Sequence, residues 1–148
     1  MRRMRRRSRD EDGSTLILAI FYGMLSLVLI LMVTAATSLY LERKRLYSLA
    51  DAAALVGAEA FELSSVSLDA GDPTLTLRSP QVHAAVTGFV ADNPVGSFDR
   101  LVLEDAASRD GKSATVTVSS AWRPPVLTLF VPDGIRLEVT AVARSVFQ

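Results

Sequence analysis

The sequence predicts an α+β protein: a long N-terminal helix, then a small domain with one further helix and an antiparallel sheet of about four strands. Three observations carry this. Residues 13–41 form a run of 29 residues without a single charge. The stretch that follows, LYSLADAAALVGAEAFEL, lacks Pro and is dominated by strong helix formers. After a second helical pattern the chain gives consecutive strand signals, the order that leads to a sheet packed on helices.

The first element is a tail, residues 1–12. It holds Arg2, Arg3, Arg5, Arg6, Arg7 and Arg9 against Asp10, Glu11 and Asp12. The chain as a whole has 16 basic and 16 acidic residues, but this neutrality is a sum of opposites: the tail is +3, residues 42–45 are +2, and the rest is −5. The second element is the uncharged run. About 20 residues suffice to cross a hydrocarbon core about 30 Å thick, so residues 13–41 are expected to form a transmembrane helix. Six Arg precede it, whereas only Arg43, Lys44 and Arg45 follow closely. The positive-inside rule then places the N-terminus in the cytoplasm and the C-terminal domain outside.

Ser14 is the expected N-cap, with Asp10, Glu11 and Asp12 near the positive end of the helix dipole. Tyr40 and Tyr47 fall where interfacial aromatics sit. An Arg-rich start, an apolar run and small residues near Ala35 also fit a secretory signal, but the apolar core exceeds the roughly 7 to 15 residues of such signals, and an uncleaved anchor is expected. Asp12, Gly13 and Ser14 resemble a prepilin-type cleavage junction; that pattern has Glu at the fifth residue after the cut, and Leu18 stands there.

The third element, residues 42–63, continues the helix. One helix of about 50 residues from about Ser14 to about Leu63 would measure roughly 75 Å. Ala50, Ala54 and Ala58 recur at i, i+4 and i+8, with Ala53, Gly57 and Ala60 alongside and Leu46, Leu49 and Val56 nearby. Such a face either lets another helix approach closely or packs beneath the chain's own domain. Asp51 is either a contact to a partner helix or a solvated position.

Here the residues carry a family resemblance. A basic head, an apolar span, Leu39 to Arg43, and then Ala50, Asp51, Ala52, Ala53, Ala54, Leu55, Val56, Gly57 and Ala58 resemble the N-terminal region of the TadE/TadG-like Flp (tight adherence) pilus-assembly proteins, over about residues 10–63. The resemblance implies a pseudopilin-like or accessory membrane protein of a pilus or related secretion system. Its partners would be other pilus or secretion-system membrane proteins or pilins, and it would not be a catalyst. Ala50, Asp51, Ala54, Gly57 and Ala58 are then the candidate helix-packing contacts, in a homo- or hetero-oligomer. Replacing Ala54 by Leu is expected to weaken co-purification with such partners and to leave membrane insertion intact.

The fourth element, residues 64–148, is the small α+β domain. Ser64 to Pro80 reads as a linker with a short strand at Thr74–Arg78. A helix is expected from Gln81 to Asp92, with Pro80 in its first turn and Pro94 beyond its end. Val82, Ala85, Val86, Phe89 and Val90 form its apolar face. Phe98–Asp105 and Ser113–Trp122 flank a turn at Asp110 and Gly111. Strands are expected at Val126–Val131 and Ile135–Phe147, the latter with Ile135, Leu137, Val139, Ala141 and Ala143 on one face.

Little in this domain points to chemistry, and no enzyme activity, cofactor or metal is expected. With no Cys and a single His, His83, the chain has no thiolate or paired-imidazole site. Glu104 and Asp105, as strand neighbours, are expected on opposite faces. Ser119 and Ser120 lack a nucleophile-elbow context, and no phosphate-binding glycine loop occurs. Trp122, Phe130 and Phe147 are core or interface aromatics. The Arg tail beside a span is explained by topology and contact with anionic membrane lipid, with no nucleic-acid partner. The competing reading of the whole is a membrane-anchored extracytoplasmic binding or sensor module unrelated to pili, in which the span is only a tether.

Overall fold

The computed structural model describes residues 8–60, 66–69, 72–92, 98–124 and 133–144. Its elements are α1 (Ser8–Glu59), β1 (Val66–Asp69), β2 (Asp72–Leu75), α2 (Ser79–Asp92), β3 (Val102–Ala107), β4 (Ser113–Trp122) and β5 (Ile135–Arg144). The α+β class holds. The chain divides into two units, Met1–Ser38 and Leu39–Gln148, although α1 runs without a break from one into the other.

In the first unit every described residue belongs to α1. The helix starts at Ser8, so Ser14 lies inside it and is not its N-cap; the acidic residues after Ser8 already favour helix at the positive end of the dipole. The large apolar side chains other than that of Leu31 are exposed, Ile17 at 71% and Met24 at 69%. Two hydroxyls towards the C-terminal end of this run bond within the helix: Thr34 Oγ1 donates to the Ile30 carbonyl at 2.8 Å and Thr37 Oγ1 to that of Val33 at 2.9 Å. A helix bound for hydrocarbon needs this, because no water is there to take the hydrogen bonds.

In the second unit one stripe of α1 is buried. Leu46, Leu49, Ala50, Ala53, Ala54 and Ala58 are at most 2% exposed, and their spacing of three and four residues puts them on one face. All of these but Leu49 join a core with Leu77, with Val82 and Val86 of α2, and with Ala106, Ala114, Val116, Val118, Val139 and Ala141 of the sheet. The α1 helix closes with the Ala60 amide on the Gly57 carbonyl at 3.3 Å, the tighter bonding common at helix ends.

The segment expected to be a linker contains an antiparallel hairpin instead. β1 and β2 pair from Val66↔Leu75 to Asp69↔Asp72. The expected strand at Thr74–Arg78 is thus displaced to Asp72–Leu75, because the Thr76–Arg78 backbone turns away to start α2. The Arg78 carbonyl accepts from the Gln81 and Val82 amides, and the Leu77 amide donates to the Gly111 carbonyl at 2.8 Å.

β3, β4 and β5 form a three-stranded antiparallel sheet in that order. The β4–β5 ladder is unbroken from Ser113↔Arg144 to Trp122↔Ile135. β4 as far as Val118, and β5, bury alternate residues, Val116 and Val118 on one, Val139 and Ala141 on the other, as a sheet with one covered face requires; Ser119 and Ser120 are both buried as well. β3 starts later than Phe98, at Val102, because Asp99 and Arg100 form a turn in which Arg100 takes a left-handed φ of 51°. The expected strand Val126–Val131 lies outside the described residues, as do Leu63, Phe130 and Phe147. Before β5, Gly134 has φ of 73°, and a Cβ there would meet the Trp122 carbonyl oxygen at 2.8 Å. Only glycine suits that turn.

Asp110 fixes the β3–β4 turn. Its Oδ1 accepts from the Lys112 amide at 2.9 Å and the Ser113 amide at 2.7 Å, and its Oδ2 from the Ser113 hydroxyl at 2.8 Å. These donors, the Lys112 amide foremost, hold the carboxyl at about 2, below its ordinary 3.8. A depressed acid stabilises the fold above its unfolded pKa, and this contribution is lost as pH falls from about 4 towards about 2. Acid unfolding of Asp110→Ala should therefore lack the part of the wild-type pH dependence in that window. A difference that persists unchanged between pH 5 and pH 2 would contradict the assignment.

Candidate functional site

The candidate contact residues of α1 divide between two faces. Ala50 and Ala54 are completely buried and Ala58 is 2% exposed, all within the chain's own core. At Gly57 an added Cβ would lie 3.1 Å from Val82 Cγ1, 3.1 Å from Val86 Cγ2 and 3.2 Å from Ala114 Cβ. The small residues let α2 and the sheet approach α1 closely, so this face is filled from within the chain. Asp51 is exposed, on the other side.

That other side is a line of exposed residues at helical spacing: Tyr40, Lys44, Tyr47, Ser48, Asp51 and Leu55. Tyr40, Arg43, Lys44, Tyr47, Ser48 and Asp51 line a shallow open depression. Sequence reasoning singled out Tyr40, Tyr47 and Asp51 separately but missed the face they share with Arg43 and Lys44. The signal was available, since these positions complement the buried spacing of Leu46, Ala50, Ala53, Gly57 and Ala58.

A second cluster lies on the uncovered face of the sheet. Ser119 Oγ donates to Glu104 Oε1 at 2.5 Å, and Arg136 Nη2 lies 2.7 Å from the same oxygen and 3.9 Å from Glu138 Oε2. The register shifts between Leu103 and Asp105, placing Asp105 opposite Thr117 while Glu104 reaches Ser119. Thr117 and Ser119 share a face of β4, so the bulge brings Glu104 and Asp105 to the same face, contrary to simple alternation. Both acids are already engaged, Glu104 with Arg136 and Asp105 with Arg109 at 3.6 Å. The arrangement is a cross-strand polar network rather than a poised base.

His83 is exposed on α2, with Nδ1 3.5 Å from Thr87 Oγ1. No group of three His, Asp or Glu that could hold a metal occurs among the described residues. Trp122 is 6% exposed and belongs to the interior. The Gly13–Ser14 bond lies within α1, and Arg2 to Arg7 lie outside the described residues.

The features that stand out define a class: an α+β protein associated with membranes through one N-terminal helix, whose stretch from Ser14 is long and apolar enough to cross a bilayer and is unburied in its most apolar window. The comparison with protein families narrows the class for part of the chain. Residues 13–60 match the family model described as "Putative Flp pilus-assembly TadE/G-like", so α1 is similar to that family from Gly13 to its end. No curated protein and no solved structure matches the chain.

Proposed function

We propose that this chain is a non-enzymatic, single-pass component of Flp pilus assembly or a related secretion system, pseudopilin-like or accessory. It sits in the cytoplasmic membrane of a bacterium with the Arg-rich tail inside and residues 42–148 outside. The observation that carries the reading is the coincidence of the family match, residues 13–60, with one unbroken helix that holds both the apolar run and the packed stripe. Because Ala50, Ala54, Gly57 and Ala58 serve the chain's own fold, the contacts to partners fall to the apolar run in the membrane and to Asp51 and Leu55 on the outward face. Leu55 is 56% exposed beside the charged Asp51, a pairing suited to an adjacent helix that offers both an apolar strip and a donor.

The burial of the small-residue stripe also favours a second reading, a membrane-tethered binding or sensor module, since it removes one surface for helix packing. Exchanging residues 13–41 for an unrelated apolar span separates the two. The assembly reading expects the hybrid to stay in the membrane but to lose pilus formation and co-purification with other Flp pilus components. A hybrid that supports pilus formation as well as the native chain makes the span a tether.

A further inference from the structure

The end of the uncharged run and the two turns of α1 that follow it place two cations between two phenols on one open face. Tyr40 is 66% and Tyr47 47% exposed, and with Arg43 and Lys44 they line the depression described above, which Asp51 bounds at its C-terminal end. The opposite side of the same turns is occupied, since Leu46 and Ala50 are fully buried in the core. The ion pairs among the described residues all fall between Asp99 and Glu138, so neither Arg43 nor Lys44 has a carboxylate partner there.

The position of the face along the chain says what would neutralise it. The uncharged run is 29 residues long, more than the roughly 20 that cover the hydrocarbon, so its C-terminal end reaches the headgroup layer. Tyr rings settle there with the ring in the apolar zone and the hydroxyl in the polar one. Arg43 and Lys44 begin two residues beyond Leu41, where the anion within reach is a phosphodiester. Guanidinium binds such a group through two parallel N–H donors, ammonium binds it as a point charge, and a phenol adds a further donor.

We propose that Tyr40, Arg43, Lys44 and Tyr47 form a binding face for the phosphate of anionic phospholipid headgroups, in the leaflet at the C-terminal end of the span. Two cations against the single carboxylate of Asp51, which lies at the far end, give the face a net preference for lipids of net negative charge. Its occupation sets the depth and rotation of α1, so that Asp51 and Leu55 are presented beyond the headgroups on a defined side. This rests on residues 13–41 crossing the bilayer. If that reading fails, the protein is not retained in the bilayer; if only the present proposal fails, it is retained without the lipid preference described next.

The full chain is reconstituted in phosphatidylcholine bilayers containing trace spin-labelled phosphatidylglycerol or phosphatidylcholine, and the motionally restricted fraction of each is measured by electron spin resonance. R43Q/K44Q should lower the preference for phosphatidylglycerol by roughly fivefold, R43K/K44R should restore it, and the unfolding midpoint should not move. Since the Arg tail attracts anionic lipid in the other leaflet, the R43Q/K44Q decrement is also measured in a chain carrying R2Q, R3Q, R5Q, R6Q, R7Q and R9Q, where it should persist. A preference unchanged in R43Q/K44Q, or a decrement that disappears with the tail substitutions, overturns the proposal.

Discussion

Gly57→Leu should unfold residues 39–148 at temperatures where the native chain is stable, while leaving the protein in the membrane. The first atom added at Gly57 already lies 3.1 to 3.2 Å from three side chains, two on α2 and one on β4. None of these can yield alone, because Val82, Val86 and Ala114 are themselves fully buried. Overpacking costs about 1–3 kcal/mol for extra methylenes in a tight core, and a Leu at a junction of three elements belongs at the upper end or beyond. For a unit of this size each kcal/mol lowers the midpoint by roughly 4–8 °C, so a drop of more than about 10 °C is expected by circular dichroism. Gly57→Ala is the informative control: it gains about 1 kcal/mol of helix propensity against the same tight contacts and should end near neutral or mildly destabilised. A midpoint unmoved by Leu would mean that α1 is not seated against α2 and the sheet as described. By the same packing, Ala54→Leu should reduce co-purification with partners through loss of the fold.

Leu27→Arg combined with Ile30→Arg should prevent retention in the bilayer. Both residues are exposed, 57% and 62%, and lie in the middle of the uncharged run. Each Arg at a span's centre costs roughly 2.5–3.5 kcal/mol on the insertion scale, so the pair costs about 6 kcal/mol. The protein should leave the membrane fraction on an alkaline carbonate wash, whereas Leu27→Ala with Ile30→Ala should remain. A doubly charged variant that stays in the membrane would show that residues 13–41 are not what holds the chain there.

Much of the fold could be read in the sequence because its strongest signals are local. The uncharged run and the Pro-free Ala-rich stretch are periodic over many turns, and α1 follows them. β4 coincides with its expected range, Ser113–Trp122, because its alternation is anchored by a turn whose Asp110 and Gly111 leave little freedom of register. What escaped was set by tertiary contact. The β1–β2 hairpin has four-residue strands with Asp72 and Pro73 in the second, a composition indistinguishable from a loop until the partner strand is known. The bulge that turns Glu104 and Asp105 to one face is a feature of register, invisible in a two-residue alternation. The candidate site divides in the same way. That Ala50, Ala54, Gly57 and Ala58 admit close approach was legible, but which chain approaches was not, because a small-residue stripe is equally suited to either. The open face of Tyr40, Arg43, Lys44, Tyr47 and Asp51 becomes a unit only once the buried side of the helix is known.

The proposed function puts another component of the Flp pilus machinery against the outward face of α1 beyond the headgroup layer. The chain has no Cys, so a single photo-crosslinking or Cys-directed probe can be placed without background. Probes at the exposed Asp51 and Leu55 in intact cells should yield adducts containing a pilin or another Flp pilus-assembly protein. No pilus component captured from either position would contradict that reading.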